Sequence, residues 1–393
     1  MFGSTLNLTL INVIARAAHF AFFLAIGNHF GADAGTDMVF FLFAPLAVIM
    51  SVFAGVAEAV VMPAMHRAIA CNCEHRMRSV LIWRTIVLVP LATIVAITLT
   101  LFFTPAVPVK VALLLLPIPL LATLSALFVG LMNAKGKHKV AALGPLYGTF
   151  VSFIPLYLTS PTATTLASML LLFEIGRMVG LALSMGRSPY SRQEGRENVE
   201  GLFTWSLRGS RWQALGSFLL ALNPLIAIYF ARTLGEGAVT SVEYASRLWN
   251  LIPLIFSGHL TIAYARMSQL AASNEFKFRS VHILAAKTGL AGLAVSLGAI
   301  AMVPGVIEWA YGTGNLGEQA RTEMAAVLKA YLLGAAPFVA GMIYVRAISA
   351  QGMAQILTKV AAVTIVVNTA ILTLLVDLQG VKMSVSFKKS SYP

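Results

Sequence analysis

Apolar runs of about twenty residues, parted by short polar segments, recur along the whole chain, and a run of that length is what a helix needs to cross a bilayer. Eleven candidate spans follow from the pattern: 6–26, 38–62, 80–103, 111–132, 140–158, 164–185, 212–230, 241–263, 283–303, 325–345 and 355–376. Each is predicted to be a helix, because lipid offers no water to an open backbone. The expected fold class is therefore an all-α polytopic membrane protein. Pro45, Pro117, Pro119, Pro155, Pro224, Pro253 and Pro337 fall inside the spans. Each lacks a backbone donor and can kink its helix, which is tolerated where helices line a cavity or pack on one another.

Composition excludes most other classes. Of 393 residues, 58% are hydrophobic and 11% charged, against roughly 25% charged in soluble domains. A soluble enzyme, a disordered chain and a disulfide scaffold are all ruled out, and two cysteines cannot staple a chain of this size. The N-terminus has no basic segment ahead of its first apolar run, so no cleavable signal peptide is expected. The net charge of +13 would suggest nucleic acid in a soluble protein. No basic surface helix with interleaved aromatics supports that, so no nucleic-acid partner is expected.

The basic residues follow topology instead. Alternate loops carry Arg67 to Arg78, Lys135 to Lys139, Arg187 to Arg211, Arg266 to Arg279, and Arg346 with Lys359. The opposite loops hold only Lys110, Arg232 and Arg321. This bias puts the first set and the N-terminus in the cytoplasm. Eleven spans then leave a tail with Lys382, Lys388 and Lys389 outside, which suggests a truncated or altered C-terminal end.

The chain divides in two. Residues 1–185 form an N-terminal lobe of six spans, 186–211 a polar cytoplasmic linker, and 212–393 an incomplete C-terminal lobe of about five spans. HFGADAGTD at 29–37 and TLGEGAVTS at 233–241 each precede a span. PLLATLSALFVGLMNAKGK at 119–137 echoes PFVAGMIYVRAISAQGM at 337–353, each opening on a proline read as mid-helix. Parallel repeats joined by a linker suggest a transporter with a central site between its lobes.

Polar residues inside the spans mark that site. Thr5, Thr9, Asn12, Arg16 and His19 share one face of the first span. Glu243, Arg247, Asn250, Ser257 and Thr261 do the same in the eighth, and Asp37, Ser51, Gly55 and Glu58 form a stripe in the second. A charge at the bilayer centre costs about 2.5–3.5 kcal/mol even on insertion scales, so such groups face protein or a wet cavity. A purely structural alternative pairs Arg16 with Glu58 and Glu243 with Arg247. Glu174 and Arg177 read as such an i,i+3 pair. Arginine's planar fork suits phosphate or carboxylate, so Arg16 and Arg247 point to an anionic head group.

Other features carry less. Cys71-Asn-Cys73-Glu-His75 has no second ligand pair at zinc spacing and reads as a loop with free thiols; no metal is expected. His138 and His282 read as solvated, and His259 as a helix-packing residue. Asn223-Pro224 reads as a hinge or a static kink. No Walker, GxSxG or HExxH motif is present, so no enzyme is expected.

Three segments in order, IARAAHFAFFLAIGNHFGADAGTDMVFFLF, VTSVEYASRLWNLIPLIFSGHLTIAYARMSQLAA and EWAYGTGNLGEQARTEMAAVLKAYLLGAAPFVAGMIYVRAISAQG, resemble the MurJ/MviN lipid II flippases of the MOP superfamily, which also holds MATE exporters and polysaccharide flippases. The resemblance implies two six-helix lobes facing a cationic cavity, plus further helices. It implies alternating-access flipping of undecaprenyl-pyrophosphate-linked precursors across the bacterial inner membrane, without a cofactor and driven by an ion gradient or the membrane potential. On it, Arg16, Asp37 and Arg247 match family positions. The family's second arginine in the first helix falls on Phe22, and another falls near Met50. Arg16 and Arg247 are then the expected substrate ligands, with Asn12, His19, Asn250, Asp37 and Glu58 shaping the cavity and Pro224 as hinge. A lipid-linked exopolysaccharide flippase, or a non-transporting scaffold for cell-wall or polysaccharide assembly proteins, are the alternatives. A MATE-like drug exporter would need an acidic cavity, which the stripes do not provide.

Overall fold

The structure, a computed structural model, describes residues 2–70, 73–103, 108–185, 199–253, 276–351 and 353–390, together with 255, 256, 259, 260, 263, 267 and 270. The first half contains α1 (Phe2–Phe30), α2 (Ala34–Ala70), α3 (Glu74–Phe103), α4 (Val109–Leu115), α5 (Ile118–Ala134), α6 (His138–Ala142), α7 (Gly144–Leu158) and α8 (Ala163–Met185). The second contains α9 (Val199–Arg232), α10 (Ala238–Trp249), α11 (Phe278–Tyr311), α12 (Glu318–Leu333), α13 (Ala335–Ala350) and α14 (Ala354–Ser390). No strand occurs among the described residues, and the described positions between 255 and 270 are helical.

Nine described helical stretches are long and apolar enough to cross a membrane, or ten with the bent pair α12–α13 taken as one span. They correspond to ten of the eleven expected spans. The eleventh, 241–263, begins as α10 and then includes positions outside the described residues. Side chains such as Phe102 (80% exposed), Leu158 (79%) and Trp309 (77%) stand on the outside of the bundle. In water that much contiguous apolar surface would drive association; in lipid it is the ordinary exterior.

The sequence repeat has a structural form. α5 and α13 begin 217 residues apart, and each follows a break in its span, at Pro117 and at Gly334. The second break bends by 47°. Pro119 stands at the start of α5 and Pro337 in the first turn of α13, not mid-helix as the sequence suggested. A missing donor costs little there, because first-turn amides have no intrahelical partner. The expected linker is shorter in regular terms: α9 already begins at Val199, and residues 186–198 lie outside the described residues. Cys73, read as a free thiol, is instead fully buried and disulfide-bonded, with Cys71 outside the described residues.

Several hydroxyls inside the spans are satisfied within their own helices. Thr93, Thr100, Ser125, Ser152, Ser168 and Thr288 each donate to the carbonyl four residues back. Such back-bonding satisfies a hydroxyl where lipid offers no partner. Pro224 removes the amide that would bond the Leu220 carbonyl, and the Asn223 Nδ2 donates to that carbonyl at 3.5 Å. Asn223 Oδ1 in turn accepts from Asn368 Nδ2 of α14 at 3.1 Å. The proline break in α9 is thus stapled to a neighbouring helix.

Small residues set the close approach of α7 and α8. A Cβ on Gly148 would lie 2.6 Å from the Phe173 carbonyl oxygen, and one on Gly176 2.7 Å from Val151 Cβ. Close backbone approach of this kind replaces the hydrophobic effect that lipid removes. Gly148→Leu should therefore cost about 1–3 kcal/mol through overpacking. Thermal unfolding of the purified protein in detergent reads it as a lower melting temperature; an unchanged melting temperature would contradict this packing.

Candidate functional site

The polar face of α1 leads to a cavity of about 570 Å³ at the end of the bundle that carries the basic 135–139 loop. Arg16 and His19 come from α1, Phe173 and Arg177 from α8, and Asn133 and His138 from the α5–α6 turn. Each pair is three to five residues apart, so a single helical face or turn delivers both members. Arg16 is exposed there. His138 Nδ1 lies 3.1 Å from Asn133 Oδ1. Arg177 reaches Glu174 with one nitrogen at 3.5 Å, the outer limit of a hydrogen bond. Its Nε is buried with no partner, and so is His19 Nδ1. The cavity therefore presents positive charge and unfilled donor capacity.

An aromatic collar closes the cavity towards the middle of the bundle. The His19 ring centroid lies 4.9 Å from that of Phe23 and 4.8 Å from that of Phe173. Phe22 stacks on Phe173 at 5.3 Å with a 10° interplanar angle. Arg247 of α10 meets the same aromatic group, its guanidinium 3.9 Å from the Phe23 ring centroid. Arg247 also donates to Glu243 of its own helix at 2.5 Å. It thus meets α1 through a cation–π contact and carries its own counter-ion.

The far end of the bundle is interlocked. Tyr244 and Tyr311 are fully buried and stack at 5.7 Å. Tyr244 donates to the Gly31 carbonyl at 3.3 Å. Past them, α2 and α10 start side by side. The N-cap of α2 is Asp33, which accepts from the Thr36 amide at 2.7 Å and the Thr36 hydroxyl at 2.8 Å. The corresponding N-cap of α10 is Gly237, which has no side chain and takes a left-handed φ of 84°. Asp37 of α2 supplies the missing carboxylate. It accepts from the Gly237 amide at 2.7 Å, the Thr240 amide at 2.8 Å and the Thr240 hydroxyl at 2.5 Å. Glu236 returns the contact by accepting from the Ala34 amide at 3.0 Å. An anion at a helix N-terminus satisfies orphan amides and the helix dipole together.

The residues singled out in sequence thus separate. Arg16 and His19 share the cavity; Arg247 does not line it and stacks on Phe23; Asp37 lies at the far end. Asn250 caps the C-terminus of α10 and is exposed. Asn12 and Glu58 have helical backbones, but their side chains lie outside the described residues, as do Ser257 and Thr261 entirely. Sequence reading missed Arg177, Asn133 and His138 in the cavity, and Gly237 at the interlock. Arg177 had a signal: an arginine midway along a 23-residue apolar helix.

Among the described residues, the cationic cavity is lined wholly by residues 16–177, within the first half of the chain and not between the halves as the sequence suggested. The matching breaks and the membrane-length helices are those of a polytopic membrane protein. The sequence profile of the lipid II flippase MurJ family matches residues 26–392, and the chain belongs to that family. Among solved structures, a lipid II flippase MurJ in an inward closed conformation superposes with a TM-score of 0.70 at 14% identity, covering 98% of this chain and 93% of that one. A multidrug resistance MATE family transporter of the MOP superfamily, inward-facing, matches at 0.62 and 14% identity, covering 98% of this chain and 100% of that one. Its outward-facing form also matches at 0.62 and 14%, over 98% and 96%. At these identities the likeness establishes the fold. No curated protein sequence matches.

Asp37→Ala strips charge-assisted bonds worth about 1.5–3 kcal/mol each from the α10 cap. Hydrogen exchange followed by mass spectrometry should then show the amides of Gly237 and Thr240 exchanging at least about tenfold faster. Unchanged protection at those amides would refute the cross-helix cap.

Proposed function

We propose that this protein is an alternating-access flippase that moves an undecaprenyl-pyrophosphate-linked glycan precursor, lipid II or a close relative, from the cytoplasmic to the outer leaflet. The observation that carries it is the cationic cavity at one end of a family-typical bundle whose other end is interlocked. On this reading the basic-loop end is cytoplasmic, as is the N-terminus, and the membrane is the bacterial inner membrane. Residues 1–185 and 212–393 act as the two lobes, joined by the 186–211 segment. Arg16 binds the pyrophosphate, and His19 shapes the wall beside it. Arg247 couples the lobes through Phe23. The Asp37 cap holds the outer end shut and must open for release. Pro224 marks where α9 yields. The protein is not an enzyme: binding energy and an ion gradient or membrane potential drive the cycle, with no cofactor. Cell-wall assembly proteins are its natural neighbours.

A second reading, a flippase for another lipid-linked oligosaccharide such as an exopolysaccharide or O-antigen unit, draws on Phe22. Where the family resemblance sets an arginine, this chain has an aromatic that is fully buried and stacked on Phe173. The cavity therefore differs in its charge layout from that pattern.

Complementation separates these. In cells depleted of lipid II flippase, the full-length gene should restore growth, and Arg16→Ala at equal protein level should not. Failure of the unmodified gene favours the second reading; rescue undiminished by Arg16→Ala removes Arg16 from the mechanism.

A further inference from the structure

The Glu174–Arg177 pair reads in sequence as helix glue, and the geometry around it says otherwise. Arg177 belongs to the wall of the same cavity as Arg16 and His19. A structural ion pair would be short and saturated. This one is 3.5 Å long and uses a single guanidinium nitrogen. The Arg177 Nε is buried and unpartnered, and so is Glu174 Oε2. Glu174 is 6% exposed, so its carboxylate is shut away from the cavity, whereas a quarter of the Arg177 side chain is accessible. The result is an arginine held back by a poor partner, with its fork unfilled, beside a second arginine and an imidazole with a spare nitrogen.

We infer that Arg177 of α8 and Arg16 of α1 form the phosphate-gripping pair of the cavity, with Glu174 as the resting counter-anion that the incoming phosphate displaces. Guanidinium groups from two helices present donors in planar forks that match phosphate oxygens. Two such forks suit a pyrophosphate better than a single phosphate, since each can take one phosphoryl group. Glu174 stays behind the pair, prevents uncompensated charge in the empty protein, and lowers affinity to a level that permits release. Arg247 does not line this cavity; it bonds Glu243 and lies over Phe23, and its Nε too is buried without a partner. The inference rests on the flippase reading and specifies which residues hold the head group.

The pair predicts effects of opposite sign, which mere helix glue does not. Binding is measured on the purified full-length chain with two probes: inorganic pyrophosphate in detergent, and undecaprenyl pyrophosphate in nanodiscs. Arg177→Gln should weaken binding about ten- to a hundredfold. Glu174→Gln should tighten it severalfold, and Arg177→Lys should fall between Arg177→Gln and the unmodified chain. The same pattern in both probes assigns recognition to the phosphates alone; the pattern with the lipid only assigns a share to the tail; either upholds the pair. Equal affinity in Arg177→Gln, or weakening in Glu174→Gln, overturns the inference while leaving the flippase reading standing. Failure of the unmodified chain to bind either probe overturns both. If Arg177→Gln does not fold, judged by its melting curve, the direction of the Glu174→Gln change decides.

Discussion

Asp37 carries a charge that α10 has no side chain of its own to supply. In α2 the cap is local: Asp33 bonds the amide and hydroxyl of Thr36. At the matching place in α10 the N-cap is glycine, and the same two groups of Thr240 are bonded by a carboxylate from α2. A helix end buried without partners for its amides is unstable. The start of α10 therefore depends on α2 lying beside it, and the far end of the bundle is held by that dependence. Gly31 and the 312–315 turn add packing to it: a Cβ on Gly31, at φ 71°, would collide with the Asn315 backbone.

Given a joined far end, the remaining charge distribution follows from the cost of ions in lipid. The charged groups of α1, α8 and α10 show how that cost is met. Arg247 is neutralised by Glu243 and stacked on Phe23. Glu174 is enclosed and faces Arg177. Arg16 and Arg177 open into the cavity, where water or an anionic head group can meet them. His19, Phe22, Phe23 and Phe173 pack ring against ring beside that cavity. The protein is thus polar at the cavity, aromatic in the middle and hydrogen-bonded at the far end, in a graded order along α1.

Much of this was legible before any coordinates. Period and length alone located the spans, because the bilayer sets helix length. The 204-residue spacing of the two span starts reflects a real equivalence between Asp33-to-Thr36 and Gly237-to-Thr240. What was hidden is tertiary. Nothing local says that Asp37 serves a helix 200 residues away, since an acidic residue in a first turn already fits its own helix dipole. Arg177 was absorbed into a pair by its spacing to Glu174, and spacing carries no information on bond length or on what else the side chain faces. Arg16 and Arg247 were grouped because both are intramembrane arginines. Phe23, on which Arg247 stacks, looks from sequence like any other apolar residue.

The central claim is that the far end must part for substrate to cross, and a reversible clamp tests it. A Cβ on Gly237 lies 3.7 Å from Ala32 Cβ, inside the span of about 3.5–4.5 Å found in disulfides. Ala32→Cys with Gly237→Cys, in a Cys71→Ser, Cys73→Ser background, can therefore bridge the two helix starts. The strain of a left-handed cysteine at 237, about 1–2 kcal/mol, is common to the oxidised and reduced forms. In reconstituted vesicles given a fluorescent undecaprenyl-pyrophosphate-linked glycan, the account predicts transport in the reduced protein, none in the oxidised protein, and recovery when reductant is restored. Transport at the same rate with the bridge closed would contradict it.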